Sequence, residues 1–416
     1  MAKRLFVFLG GGNNRTGGYT ETNYYLGRED NQYRTRFIGI ALTRLVQDTF
    51  DTVHIIGTRN SMWDVFLEEL IYQNIASESY DIDGAKKRLE DLRNIINDKG
   101  LRNGDPSLTE IQSQFQELTG IQAKCTIIEH GNTTAGIWSI FDIVNGLAQS
   151  QDDIYIDLTH GYRFIPMVMT AAMRFMETIK NVRIKGLFYG AFEMQKNGMT
   201  PILDMLPLWE MEEWTHAYAD FRDLGSSLRL SRKIQNLPVN EDAPKNIQQY
   251  TSHTLNKFTF AMKNSRPADI IEHGKKLQSR IEQLKKSTMN QAYKYIAAPI
   301  SETAQKLVNQ PSEAKLLLDL SQRHFEKDQF LLAYLTLWEA YRNHYYIVNQ
   351  WANRNESTPA INAGIDQLRK IRNQLVHILD VQPTVAGEKP FDEKIRNSDT
   401  FSGFCKAVSS YIEGKV

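Results

Sequence analysis

The chain of 416 residues has only two cysteines, Cys125 and Cys405. Two thiols so far apart, without metal-ligand spacing, exclude a disulfide framework and fit a reduced, cytoplasmic protein. No hydrophobic run approaches the length of a membrane-spanning helix. The first apolar run, residues 5–9 (LFVFL), is too short for a signal peptide's apolar region, so it reads as a buried strand and no membrane partner is expected. Net charge is also absent, with 49 basic against 49 acidic side chains, but the balance is uneven. Residues 1–205 hold 21 of the basic and 25 of the acidic side chains, leaving 28 and 24 to the remainder. A polyanion would meet the second half more readily, although drift in surface charge explains so small a difference equally well. The common phosphate fingerprints are incomplete. After Gly10-x-Gly12 the third glycine position is Arg15, and Gly12-x-x-x-x-Gly17 is followed by Gly18 where a P-loop needs lysine. A nucleotide-dependent oxidoreductase is therefore disfavoured.

What is present is ordinary globular material, 41% hydrophobic and 24% charged, in a chain long enough for two cores. In the first two hundred residues short apolar runs at 5–9, 53–57, 124–129, 153–158 and 182–189 are separated by helical periodicity at 36–50, 135–148 and 164–179. This is the pattern of βαβ units around a parallel sheet. Residues 61–120 read as a mostly helical, polar insertion or an elaborated crossover, and 19–35 as a hairpin turning near 27–31. From about Pro207 helical periodicity takes over, with breaks expected at Pro238, Pro267, Pro299, Pro311 and Pro359. The expected organisation is an α/β domain at 1–206, a connecting helix within 207–230, and an all-α bundle at 231–416.

Ligands of open parallel sheets bind beyond the carboxyl ends of strands. Two segments fall there. Gly10-Gly11-Gly12-Asn13-Asn14 follows the first strand, and its glycines let backbone amides approach an anion or a nucleobase, although a plain tight turn is as good a reading. The second, Asp157-Leu158-Thr159-His160-Gly161-Tyr162-Arg163, gathers a carboxylate, a hydroxyl, an imidazole and a guanidinium within seven residues, just before a helix opened by Pro166. Arg163 suits phosphate; Asp157 and Thr159 suit ribose hydroxyls or an adenine amino group. The plain alternative is a helix cap by Thr159 with Asp157 paired to Arg163.

Asp157-x-Thr159-x-x-x-Arg163 resembles the signature of CARF domains, the Rossmann-like sensors associated with CRISPR systems. The surrounding LTHGYRFIP is similar to the version in CARF–HEPN proteins that accompany type III systems. The resemblance spans roughly residues 3–206. It implies a cyclic oligoadenylate held across the two-fold axis of a homodimer, with Gly10, Gly11, Asn13, Asn14, Thr133, Asp157, Thr159, His160, Gly161 and Arg163 as the ligand-facing set.

In the second half, Arg372-Asn373-Gln374-Leu375-Val376-His377 stands on a helix expected at 361–379. Arg-x4–6-His alone occurs by chance on the order of once or twice in such a chain, and Arg266 with His273 is an example. Requiring Asn after the Arg lowers the expectation to roughly a few per cent. Asn373 and His377 are i, i+4 neighbours on one face, while Leu368, Ile371, Leu375 and Ile378 give another to the core. A histidine can move the 2′-hydroxyl or leaving-group proton of RNA, and an arginine can stabilise the charged phosphorane, without a metal. The segment is similar to the Arg-Asn-x-x-x-His motif of HEPN helical bundles, except that Val376 stands where a smaller residue is frequent. The likeness implies a catalytic set of Arg372, Asn373 and His377 acting on single-stranded RNA, without metal or cofactor, and with cyclic oligoadenylate as activator. A non-catalytic sensor with a degenerate helical half is the alternative.

Overall fold

The computed structural model describes residues 1–11, 19–75, 80–161, 164–349, 359–376 and 395–413. The chain divides into two compact units, Met1–Trp209 and Glu210–Val416.

The first unit is built on an eight-stranded sheet. In chain order its elements are β1 (Lys3–Leu9), β2 (Thr22–Leu26), β3 (Gln32–Thr35), α1 (Ile38–Leu45), β4 (Thr52–Thr58), α2 (Trp63–Asn74), α3 (Ile82–Asp98), α4 (Pro106–Thr119), β5 (Gln122–Ile128), α5 (Thr134–Leu147), β6 (Asp153–Asp157), α6 (Ile165–Lys180), β7 (Arg183–Gly190) and β8 (Met199–Asp204). Strand order is β3-β2-β8-β7-β6-β1-β4-β5. The five strands β7-β6-β1-β4-β5 are parallel, β8 is antiparallel to β7, and β2 with β3 forms an antiparallel hairpin beyond it.

Period-two burial explains the layering. Along β1, Leu5, Val7 and Leu9 join the core beneath α1, α2 and α4, while Phe6 and Phe8 point into the opposite core beneath α5 and α6. A strand covered on both faces has no solvated side, which is why its sequence is a continuous apolar run. From β1 the chain first builds outward through β4 to β5, then returns to the other side of β1 for β6 and β7. The reversal falls between β1 and β6, the position where open α/β sheets place ligands.

Two sequence expectations need adjustment here. Strand β8 was not expected, because Pro201 and Asp204 dilute its alternation of buried Thr200 and Ile202. The helix expected over 36–50 is shorter, Ile38–Leu45. Residues 61–120 do form helices, α2 to α4, and these cover one face of the sheet.

The second unit is helical: α8 (Leu228–Gln235), α9 (Ile247–Lys263), α10 (Pro267–Ser287), α11 (Gln291–Val308), α12 (Glu313–Glu326), α13 (Phe330–Asn349), α14 (Pro359–Val376) and α15 (Ser398–Ile412). The boundary between units falls inside α7 (Leu206–Leu224). Pro299 does not break the chain as expected; it lies within α11, and the Thr303 hydroxyl donates to its carbonyl at 2.9 Å. One core gathers around α8 to α11. A second joins α12 to α15 through Leu317, Tyr334, Leu337, Leu368, Phe401 and Val408, and this is the bundle that carries the Arg372 helix. Among the described residues no helix is long and apolar enough to cross a membrane.

Candidate functional site

The loops after β1 and β6 meet. A β-carbon on Gly10 would lie 3.2 Å from the Gly161 amide nitrogen and 2.4 Å from the Tyr19 hydroxyl, so only glycine permits this approach. The Gly10 amide donates to Tyr19 Oη at 3.1 Å, and the Gly10 carbonyl accepts from the Met62 amide at 2.9 Å. Gly161 has φ +111, outside the range of ordinary side-chain-bearing residues.

Asp157 closes β6 with its side chain fully buried. Its Oδ1 accepts from the Thr159 amide at 2.8 Å, and its Oδ2 has no partner. Burial pushes this carboxyl up to about 7, against weaker stabilisation by the Thr159 side chain and amide. Thr159 Oγ1 accepts from the Gly190 amide at 2.8 Å, tying the end of β6 to the end of β7. Phe164, and not Thr159, stands at the N-cap of α6, with no capping bond from its side chain. His160 packs at a tilt against Tyr19 with ring centroids 4.1 Å apart and meets the edge of Phe37 at 6.0 Å. Its Nε2 is shielded and unpartnered, and burial lowers its pKa to about 4.

The loop after β5 joins the same end of the sheet. Gly131 has φ +66, and a β-carbon there would lie 2.5 Å from Phe164 Cζ, so this loop packs against the entry to α6. Thr133 is exposed and caps α5 by accepting from the Gly136 amide at 3.0 Å. Of the sequence-derived set, Gly10, Gly11, Thr133, Asp157, Thr159, His160 and Gly161 are described. Asn13, Asn14 and Arg163 lie outside the described residues. Tyr19 was missed, because a tyrosine after a glycine-rich loop has no spacing signal of its own.

Two buried polar atoms without partners, Asp157 Oδ2 and His160 Nε2, are unusual at one strand end. They suit a ligand with its own donors and acceptors, and the near-neutral carboxyl can present either a proton or a lone pair. A stability consequence follows. The folded-state pKa of Asp157 is raised, so its contribution is fully present below the unfolded value and is lost as pH rises through about 7. Asp157→Asn removes this dependence while keeping the acceptor for Thr159. Relative to the variant, the wild type should lose on the order of 2–3 kcal/mol between pH 5 and pH 8 in urea denaturation. A pH-independent difference would refute the buried carboxyl.

The second candidate cluster lies on α14. Ile365, Leu368 and Ile371 are buried, Leu375 is partly so, and Asn373 and Val376 are exposed. Arg372 packs against the neighbouring helix. Its guanidinium lies over the Trp338 ring on α13, 5.4 Å from the centroid, with Nε shielded and unpartnered. His377 and Ile378 lie outside the described residues. The competing pair is accounted for locally: Arg266 binds Asp269 at 2.8 Å at the start of α10, and His273 sits beside Glu272. Among the described residues no three His, Cys, Asp or Glu side chains are grouped to hold a metal ion.

Comparison with known proteins agrees with the sheet and its loops. Residues 5–193 match the family model described as the CARF domain of the CRISPR system endoribonuclease Csx1. The CRISPR-associated protein MJ1674 of Methanocaldococcus jannaschii is 26% identical over 302 residues, covering 70% of this chain and 45% of that protein. The chain thus spans less than half the length of this relative. Among solved structures, Enterococcus italicus Csm6 bound to cyclic hexa-2′-fluoro-hexa-dAMP is similar over 99% of this chain and 94% of that one, with 12% identity and a TM-score of 0.37. The matched region covers nearly the whole first unit, with its parallel sheet and both strand-end loops: that unit is a CARF domain.

Proposed function

We propose that the chain is a homodimeric endoribonuclease that cleaves single-stranded RNA without a metal and is switched on by a cyclic oligoadenylate. The observation that carries the sensing half is the junction of the Gly10 and Asp157–Gly161 loops at the β1/β6 reversal. It leaves Asp157 Oδ2 and His160 Nε2 buried and unpartnered in a CARF domain. An adenine offers an amino donor and ring-nitrogen acceptors to such atoms, and the glycine amides suit its phosphates.

The nuclease half rests on Arg372, Asn373 and His377. Asn373 is exposed on α14, and His377 is its i+4 neighbour in sequence. Two copies of this face would form one cleft with a proton-transfer group and a phosphate-binding group from each chain. An exposed apolar face in the first unit supports pairing. Ile137 and Trp138 on α5 and Met167, Phe175 and Ile179 on α6 are exposed, Met167 at 75% and Trp138 at 60%. The helices pack on each other through Phe141 and Phe175, 5.3 Å apart, so these residues lie on a common apolar surface. Since α6 starts at the ligand loop, pairing here would bring two such loops to one two-fold axis. In this reading the ligand favours one dimer arrangement, and α7, which contains the unit boundary, transmits the choice.

One observation favours a second reading, a non-catalytic regulator: the Arg372 guanidinium rests on the Trp338 ring. In the enzyme it must leave that ring on activation. Labelled single-stranded RNA incubated in EDTA with cyclic tetra- or hexa-adenylate separates the two. Ligand-dependent cleavage is the expected result. Ligand binding without cleavage supports the regulator, and cleavage abolished by EDTA contradicts the metal-free mechanism.

A further inference from the structure

Beyond the carboxyl ends of β4 and β5 lies a cleft of about 330 Å³ that the strand-end site does not use. Arg59, Arg102, Asn103, Glu129, His130 and Ser139 line it, over apolar side chains of β5 and α5. Arg59 directly follows β4, and its Nη2 donates to the Lys99 carbonyl. Among the described residues neither Arg59 nor Arg102 is ion-paired, and the Arg102 side chain makes no hydrogen bond. Two arginines without an ion-pair partner, against the one carboxylate of Glu129, leave this cleft at the sheet's carboxyl edge cationic, which suits an anion. Its size is near the lower end of ligand pockets, about 300–1,000 Å³, which suits one nucleotide unit better than a whole ring.

Its position relates it to the sensor. The order β6-β1-β4-β5 puts it roughly 14 Å along the sheet from Asp157, at a strand spacing of about 4.8 Å. The loop that carries His130 continues through Gly131 to Phe164 at the entry of α6. One loop therefore borders both the cleft and the Asp157 site. We infer that the cleft is an outer nucleotide subsite, taking the peripheral adenylate of a ring larger than a tetramer, with its phosphate held by Arg59 and Arg102. The inference rests on the sensor reading above: shared by two copies, a tetramer presents two nucleotides to each and a hexamer three.

Titration calorimetry of the full chain with cyclic hexa-adenylate and cyclic tetra-adenylate tests this. Arg102→Glu is the primary variant, because its side chain supports nothing else; Arg59→Gln is the second. Losing a charge-assisted hydrogen bond should weaken hexa-adenylate binding about tenfold or more. Tetra-adenylate binding should be unchanged, which also shows that the variant is folded. Equal losses for both rings, or no loss for either, overturn the subsite while leaving the sensor reading intact. Failure of the wild type to bind any cyclic oligoadenylate overturns both.

Discussion

His377→Ala should reduce oligoadenylate-activated RNA cleavage by about 10²–10⁴-fold, the range for loss of a general acid–base group. In-line attack by a ribose 2′-hydroxyl needs that proton removed and the departing 5′-oxygen protonated, and His377 is the titratable side chain of the motif suited to both near neutral pH. Arg372→Ala should cost about 10²–10³-fold by withdrawing charge from the phosphorane. Its cation–π contact with Trp338 adds a diagnostic. If Arg372 leaves the ring on activation, Trp338→Phe weakens the resting contact and should raise basal cleavage without ligand. Cyclic oligoadenylate binding should be unchanged in all three variants, because the Asp157 site belongs to the other unit. Wild-type cleavage by His377→Ala would remove the motif from the mechanism.

Charging the α5/α6 face should separate the dimer and abolish cleavage with it. Trp138 and Met167 are large and exposed, and full burial of each against a second copy contributes about 1.5–3 kcal/mol. Trp138→Asp with Met167→Asp removes this gain and would leave unpaired carboxylates in the contact, which costs several kcal/mol more. The dissociation constant should therefore rise by more than about 10³-fold. Sedimentation velocity should show a dimer for the wild type and a monomer for the double variant at the same concentration. Cleavage should fall in parallel, since each cleft needs both copies of Asn373 and His377. A double variant that remains dimeric places the two-fold axis elsewhere.

The sequence was most legible where one physical constraint dominates. Strands β1, β4 and β6 are covered on both faces, so continuous apolar runs mark them directly, and the Asp157–Gly161 polar cluster stands out because it interrupts such a run. Strands with a single buried face were less legible. β8 has one buried face and contains Pro201, so neither a run nor a clean alternation identifies it. Pro299 looked like a break but lies inside α11, where the packing of Tyr293, Ala297, Ile300, Ala304 and Leu307 keeps the helix continuous. Tyr19 reaches the site only because the fold brings it beside Gly10 and His160, a long-range pairing that no local spacing announces. The polar face of α14 was read from its i, i+4 pattern, but the placement of Arg372 on Trp338 depends on the neighbouring helix.

The central claim is that the joined β1 and β6 loops, paired across two chains, bind one cyclic oligoadenylate. Calorimetric titration of the full chain with cyclic oligoadenylates of different ring size measures this directly. The account predicts saturation at one ring per two chains, and loss of binding in Gly10→Val, whose side chain would collide with Tyr19 and the Gly161 amide. Absence of binding by the wild type, saturation at one ring per chain, or unchanged affinity in Gly10→Val would contradict it.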